Sequence, residues 1–241
     1  MSRIVIIGGS DPSGGAGLTR DAAMAAQMGC ATKPVVTAVT VQTGKAVQAI
    51  NPVEAHLLRA QLLAARAAPP PLAIKIGMVA SAQQIDVLLA DLPAAIPIVL
   101  DPVLRASSGG VLSPQEALRP LVSRATILTP NLPESAALSD RSLAVTDEEL
   151  QQQGDALLAL GAKAVLIKGG HGGGQTCTDT LFSAEASVQF DAPRLPGSRR
   201  GTGCSLATAI ACGLAQGQDL QSACQAAKTA VTSWLASSEL V

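Results

Sequence analysis

Short apolar runs alternate with stretches of helical periodicity along almost the whole of this 241-residue chain. The runs Ile4–Ile7, Val35–Val41, Ile74–Met78, Ile98–Val103, Thr126–Thr129 and Ala164–Lys168 read as strands, and several are apolar on both faces, as buried parallel strands are. Thr180–Phe182 and Val188–Phe190 read as the two arms of a hairpin. Helices are predicted near Leu18–Gln27, Glu54–Arg66, Gln83–Leu89, Gln115–Val122 and Asp147–Leu160, with a small-residue helix from Ser205 to about Ala215. Ser81-Ala82-Gln83-Gln84 and Thr146-Asp147-Glu148-Glu149 carry capping-box patterns, which mark helix starts. Gly29 and Gly161 fall where helices should stop. Strand and helix in alternation predict a mostly parallel central sheet covered on both faces, with a small antiparallel excursion late in the chain. No linker divides the sequence, so residues 1–241 are expected to form one domain.

Composition narrows the function. Hydrophobic residues make up 48% of the chain and charged residues 15%, which implies a large core. Two Phe, one Trp and no Tyr make that core aliphatic and leave stacking platforms for nucleic acid nearly absent. A net charge of −1 supplies no basic field for it either. No apolar run reaches the length of a membrane span, and no secretory signal fits the N-terminus. Cys30, Cys177, Cys204, Cys212 and Cys224 are odd in number and contain no C-x-x-C pair, and the two histidines form no metal cluster. A soluble cytoplasmic protein with reduced thiols is expected.

Ligands of open parallel sheets bind beyond the carboxyl ends of the strands, so the residues that follow each strand hold the candidate chemistry. After the first come Gly8-Gly9-Ser10-Asp11-Pro12-Ser13-Gly14-Gly15-Ala16-Gly17, a loop suited to phosphate or to close approach of a flat ligand. It contains neither a P-loop nor a well-placed dinucleotide fingerprint, which argues against a dehydrogenase. Gln42 offers an amide that can read a heterocycle edge, and Met78 can line an apolar pocket. Asp101, stopped by Pro102, is placed for Mg²⁺ or a bound water. Asn131 and Glu134 open a helix and suit a Mg²⁺–phosphate shell; Glu134 equally suits a first-turn helix charge. Lys168 can neutralise a phosphate. Gly201-Thr202-Gly203-Cys204 opens a helix, which makes an anion hole of backbone N–H groups and puts a thiol where ionisation is favoured. No Ser-His-Asp set is present. Phosphoryl transfer from a nucleotide fits this inventory.

These motifs, in this order, resemble the hydroxymethylpyrimidine/phosphomethylpyrimidine kinases of thiamine biosynthesis, within the ribokinase-like superfamily. The carriers are Gly8 to Gly17, Lys75-Ile76-Gly77-Met78, Leu100-Asp101-Pro102-Val103, Thr129-Pro130-Asn131-Leu132-Pro133-Glu134, Lys168-Gly169-Gly170-His171 and Gly201-Thr202-Gly203-Cys204. The resemblance implies a three-layer α-β-α fold, ATP and Mg²⁺ as co-substrate and cofactor, and an aminopyrimidine alcohol or its monophosphate as acceptor. It implies that Gly9, Ala16, Thr40, Gln42, Met78 and Val103 surround the pyrimidine. Asn131, Lys168 and Lys228 fall on the nucleotide side, Asp101 and Glu134 at the metal, and Cys204 at the position of a base. A homodimer is implied as well. Monophosphate-only kinase, pyridoxal kinase and a non-catalytic ligand-binding domain stand as alternatives. Three loops depart from the family pattern: Gln42-Thr43-Gly44 replaces Gln-Asn-Thr, Leu104-Arg105-Ala106-Ser107-Ser108-Gly109 follows Val103, and Gly197-Ser198-Arg199-Arg200 replaces a segment ending in Asn-Thr-His. Arg105, Arg199 and Arg200 are expected either to favour a phosphorylated acceptor or to be solvated loop residues.

Overall fold

The structure is a computed structural model that describes residues 1–105, 110, 112–171, 174–196 and 199–237. Its strands are β1 (Arg3–Ser10), β2 (Ala31–Gln42), β3 (Val47–Pro52), β4 (Ala73–Ile76), β5 (Ile98–Leu100), β6 (Ile127–Leu128), β7 (Ala164–Ile167), β8 (Thr176–Ser183) and β9 (Ser187–Pro193). They form a nine-stranded sheet in the order β3-β2-β1-β4-β5-β6-β7-β8-β9. The six strands from β2 to β7 in that order pair in parallel. β3 pairs antiparallel with β2 at one edge, and the β8–β9 hairpin continues antiparallel from β7 at the other. The late hairpin agrees with the sequence reading, whereas β3 is an additional antiparallel strand that it missed.

The chain leaves β1 in one direction to reach β2 and β3, then returns to the other side of β1 as β4. This reversal opens a crevice beyond the carboxyl ends of β1 and β4, the position where open α/β sheets bind ligands. The loop that begins at Gly8 and the segment Gly77-Met78 both sit there.

Helices cover both faces. One layer holds α1 (Gly17–Gln27), α7 (Thr202–Ala215) and α8 (Leu220–Ala236), packed on the face that carries Ile4, Ile6, Val99 and Leu166. The other holds α2 (Ala55–Arg66), α3 (Ala82–Asp91), α4 (Gln115–Val122), α5 (Leu132–Ser139) and α6 (Asp147–Ala159), packed on the face of Val5, Ile7, Ile74 and Ile76. β1 therefore feeds both cores by simple alternation. α7 is buried on nearly every side because its residues are small. α8 was not among the helices expected from the sequence; Asp219 caps it by accepting from the Ser222 amide at 2.9 Å.

Helix starts follow the capping signals with one revision. Thr146 and Glu149 form the full reciprocal box on α6. Ser81 accepts from the Gln84 amide, but the Gln84 side chain turns inward to the Thr37 and Val53 carbonyls at 2.7 Å each and ties α3 to β2. The expected box is therefore only half formed there.

Candidate active site

The site begins with backbone contacts that only glycines permit. Gly17 starts α1 at φ +59°, and a Cβ there would lie 2.3 Å from the Gly9 carbonyl oxygen. Gly201 caps α7 at φ +77°, and a Cβ there would lie 2.3 Å from the Gly15 carbonyl oxygen. Both positions need the left-handed backbone and the missing side chain. The loop after β1 is thereby pressed against the start of α7. A Cβ on Gly203 would meet Lys168 Nζ at 3.0 Å and the Asp101 carboxylate at 3.8 Å. The Gly201-Thr202-Gly203-Cys204 turn thus lies between the β1 loop and the ends of β5 and β7.

On the β1 side, Gly9 faces Met78 and Thr40. A Cβ on Gly9 would lie 3.0 Å from the Met78 sulfur and 3.8 Å from the Thr40 methyl. Thr40 and Gln42 alternate inward on β2 and are buried. The Thr40 hydroxyl donates to the Ser10 carbonyl at 2.8 Å and lies 3.4 Å from Gln42 Oε1. Ala16 is fixed by its amide, which donates to Asp11 Oδ2 at 3.0 Å. Val103 folds back through its amide to the Asp101 carbonyl at 2.8 Å, beside the end of β5. Gly9, Met78, Thr40 and Gln42 therefore lie together at this end of the sheet.

Lys168, Asp101 and Glu134 meet on the far side. Lys168 Nζ donates to Asp101 Oδ1 at 2.8 Å and lies 4.0 Å from Glu134 Oε2. Asn131 and Glu134 form a reciprocal capping box on α5, each side chain accepting the other's amide at 2.9 Å. Glu134 is thus a first-turn helix carboxylate, and its Oε2 also lies near Lys168. Burial pushes its carboxyl up to about 7, with Lys168 opposing and Asp101 adding to the rise. Burial works against charge on Lys168 too, but Asp101 and Glu134 outweigh it and hold the ammonium above its ordinary value. Among the described residues, no three His, Cys, Asp or Glu side chains gather to hold a metal. Two carboxylates still suit Mg²⁺, which takes one or two from protein and completes its shell with water and phosphate oxygens.

Two expectations need correction. Cys204 starts α7, yet burial pushes its thiol up to about 11; the Lys75 ammonium and the Gly17 amide oppose that rise, while Asp21 and Asp101 add to it. Partial desolvation outweighs the helix start, so the resting group is a neutral thiol. Arg199 turns to α8 rather than to solvent: its guanidinium lies 5.4 Å from the Trp234 ring centroid and donates to the Trp234 carbonyl. Lys228 sits behind the turn that follows β7. It is buried, pairs with Asp179 Oδ2 at 2.9 Å and lies 3.5 Å from the Cys177 sulfur. Asp179 in turn accepts from the Gly169 amide at 2.9 Å, so Lys228 braces the Lys168-Gly169-Gly170 turn from behind. Arg105 is exposed, and Ala106 to Gly109, Gly197 and Ser198 lie outside the described residues.

One group was missed. Lys75 and Asp21 are fully buried and paired at 2.7 Å, and Thr208 donates to Asp21 at 2.9 Å. Thr208 lies one helical turn below Cys204 on α7, and Asp21 one turn below Gly17 on α1. The lysine inside the apolar run Ala73–Ile76 was the available signal, because a buried charge requires a partner.

Comparison with known proteins agrees with this geometry. Residues 11–240 match the family model described as phosphomethylpyrimidine kinase. A hydroxymethylpyrimidine/phosphomethylpyrimidine kinase of Rhizobium meliloti is 38% identical over 228 residues, covering 92% of this chain and 86% of that protein. One from Escherichia coli is 38% identical over 220 residues, covering 88% and 83%. Among solved structures, phosphomethylpyrimidine kinase of Clostridium difficile superposes with a TM-score of 0.84 at 31% identity, over 98% of this chain and all of that one. Pyridoxal kinase of Staphylococcus aureus in complex with AMP-PCP superposes with a TM-score of 0.87 at 28% identity, over 98% and 89%.

Proposed function

This chain belongs to the phosphomethylpyrimidine kinase family, and on that premise we propose that it transfers the γ-phosphoryl group of ATP to the hydroxymethyl group of an aminopyrimidine, and then to the resulting monophosphate. The observation that carries the reading is the position of Gly203. The anion-hole turn touches the Lys168–Asp101 pair on one side, while Gly201 touches the β1 loop on the other. An acceptor beside Gly9, Thr40, Gln42 and Met78 and a nucleotide beside Lys168 would present their reacting oxygens to the same backbone N–H groups.

The chemistry asks for positioning and charge neutralisation. The acceptor oxygen forms a bond to the γ-phosphorus, the bond to the β–γ bridging oxygen breaks, ADP leaves, and the hydroxyl proton is released. The N–H groups at the start of α7 hold the equatorial oxygens of the moving phosphoryl group. Lys168 supplies a fixed positive charge. Asp101 and Glu134 are the residues to hold Mg²⁺, which would neutralise phosphate charge when bound. Cys204, neutral at rest, serves as a lining group of the hole rather than as the principal base, because an efficient base needs a pKa near the working pH.

Pyridoxal kinase remains a second reading, favoured by the superposition on a structure of that name. Steady-state kcat/KM values with the aminopyrimidine alcohol, its monophosphate and pyridoxal separate the two. The pyrimidines are expected to exceed pyridoxal by at least about tenfold, and the reverse order would replace this reading. We place the enzyme in the cytoplasm, in keeping with five free cysteines, as one catalytic unit that pairs as a homodimer through the β2–β3 edge. Val39 and Val41 point outward there and are 55% and 53% exposed.

A further inference from the structure

Arg200 precedes the anion hole, and its guanidinium is shared between two other segments. Nη1 donates to the Ser13 hydroxyl at 2.8 Å and to the Thr43 carbonyl at 3.0 Å, and Nη2 donates to Asp11 Oδ2 at 3.0 Å. Asp11 is buried and is the hub of the β1 loop. Its carboxylate also accepts from the Ser13 amide at 2.9 Å, the Ser13 hydroxyl at 2.7 Å and the Ala16 amide at 3.0 Å. The glycine loop makes room for the arginine: a Cβ on Gly15 would lie 3.3 Å from Nη1. Thr43 directly follows Gln42. One planar fork thus joins the loop that carries Gly9 and Ala16, the residue next to Gln42, and the turn that opens α7. Two of the places where the sequence departs from its family pattern, Thr43 and Arg200, touch each other in space.

We propose that Arg200 is a positioning residue for acceptor binding, a clasp that holds the β1 loop and the Gln42 segment against the anion hole before any ligand arrives. The inference rests on the acceptor lying in the crevice between those segments, as argued above. A clasp of this kind cuts the ordering cost of binding, so its loss weakens acceptor binding more than it slows the chemical step. Nη1 and Nη2 are held by Ser13, Thr43 and Asp11, while the buried Nε has no partner among the described residues; acting as a clasp, the residue contributes equally whether or not the acceptor already carries a phosphate. Lysine cannot replace it, because one ammonium does not span three acceptors in a fork.

The test uses Arg200→Ala and Arg200→Lys, with two readouts. The first is hydrogen exchange of the ligand-free proteins. Amides of residues 11–17 and 42–46 are expected to exchange at least about tenfold faster in Arg200→Ala, with those of β4 and β7 unchanged, and Arg200→Lys is expected to move the same way by less. The second is steady-state kinetics. The KM for the pyrimidine alcohol and for its monophosphate are expected to rise together by about tenfold, with the KM for ATP and kcat each within about threefold. Unchanged exchange, or a rise confined to the monophosphate, overturns the inference; the latter would make Arg200 a phosphate ligand. Faster exchange throughout the sheet also overturns it, since that marks a merely structural role. If wild-type protein phosphorylates neither pyrimidine, the functional reading fails, and the exchange data alone then decide whether the clasp exists.

Discussion

Lys75 keeps its charge in the protein interior only because Asp21 faces it at 2.7 Å and Thr208 completes the carboxylate. Removing one partner of such a pair leaves the other stranded, at a cost of about 3–5 kcal/mol. Urea unfolding of Lys75→Met is expected to show a loss of that size, and Asp21→Asn/Lys75→Met to recover part of it. A loss near zero in the single variant would mean that the pair carries no burden. Glu134 gives the second prediction at this scale. Its folded carboxyl titrates near 7, against 4.5 ordinarily. The folded state therefore holds a proton that the unfolded state has released, and stability falls as pH rises from about 4.5 to 7. Thermal or urea unfolding of metal-free protein is expected to show that slope, and Glu134→Gln to flatten it; an unchanged slope in the variant would refute the assignment. That Asp101, Glu134 and Lys168 lie close together was legible in the sequence because each follows a strand expected to end at the same sheet edge, although Glu134 also had a plain reading as a first-turn helix charge. The neutral Cys204 and the inward-held Lys228 were not, since each is set by burial from distant segments. The expectation for Cys204 used only its own helix.

At the scale of elements, the site depends on two helix starts meeting two loops. Gly201 and Gly17 make equally tight contacts, each with its Cβ position 2.3 Å from a carbonyl oxygen. Gly201→Ala would place a methyl 2.3 Å from the Gly15 carbonyl on a backbone of φ +77°, so the β1 loop must retreat. A retreat of about 1 Å between the acceptor side and the anion hole is enough to reduce kcat/KM by roughly a hundredfold. Steady-state kinetics with the folded variant check this, and wild-type rates would show that the two loops are not coupled. The parallel strands β1, β2, β4, β5, β6 and β7 were readable because buried parallel strands form apolar runs. β3 was not, because Val47–Pro52 is an edge strand with mostly polar or exposed positions. α8 was hidden by its small and polar residues, Ala, Ser, Gln and Thr, which give a weak apolar stripe until α7 supplies a face of equally small residues to pack on.

For the whole molecule, the reversal of strand order beside β1 gathers residues from positions 9 to 204 along one edge of the sheet. The order of motifs along the chain was sufficient to suggest that gathering, whereas the sides of the crevice required the sheet order itself. The β2–β3 edge, with Val39 and Val41 outward, is where a second copy is expected to seat. Wild-type protein should elute as a dimer by light scattering, and Val39→Asp/Val41→Asp as a monomer; a monomeric wild type would remove the dimer from the account. The central claim is that this crevice moves a phosphoryl group from ATP to a pyrimidine alcohol. The most direct measurement follows label from γ-³²P-ATP, with Mg²⁺, into the aminopyrimidine. The account predicts labelled mono- and diphosphates of the pyrimidine, with ADP released in step with them. Label that stays in ATP, or that reaches only inorganic phosphate, would contradict it.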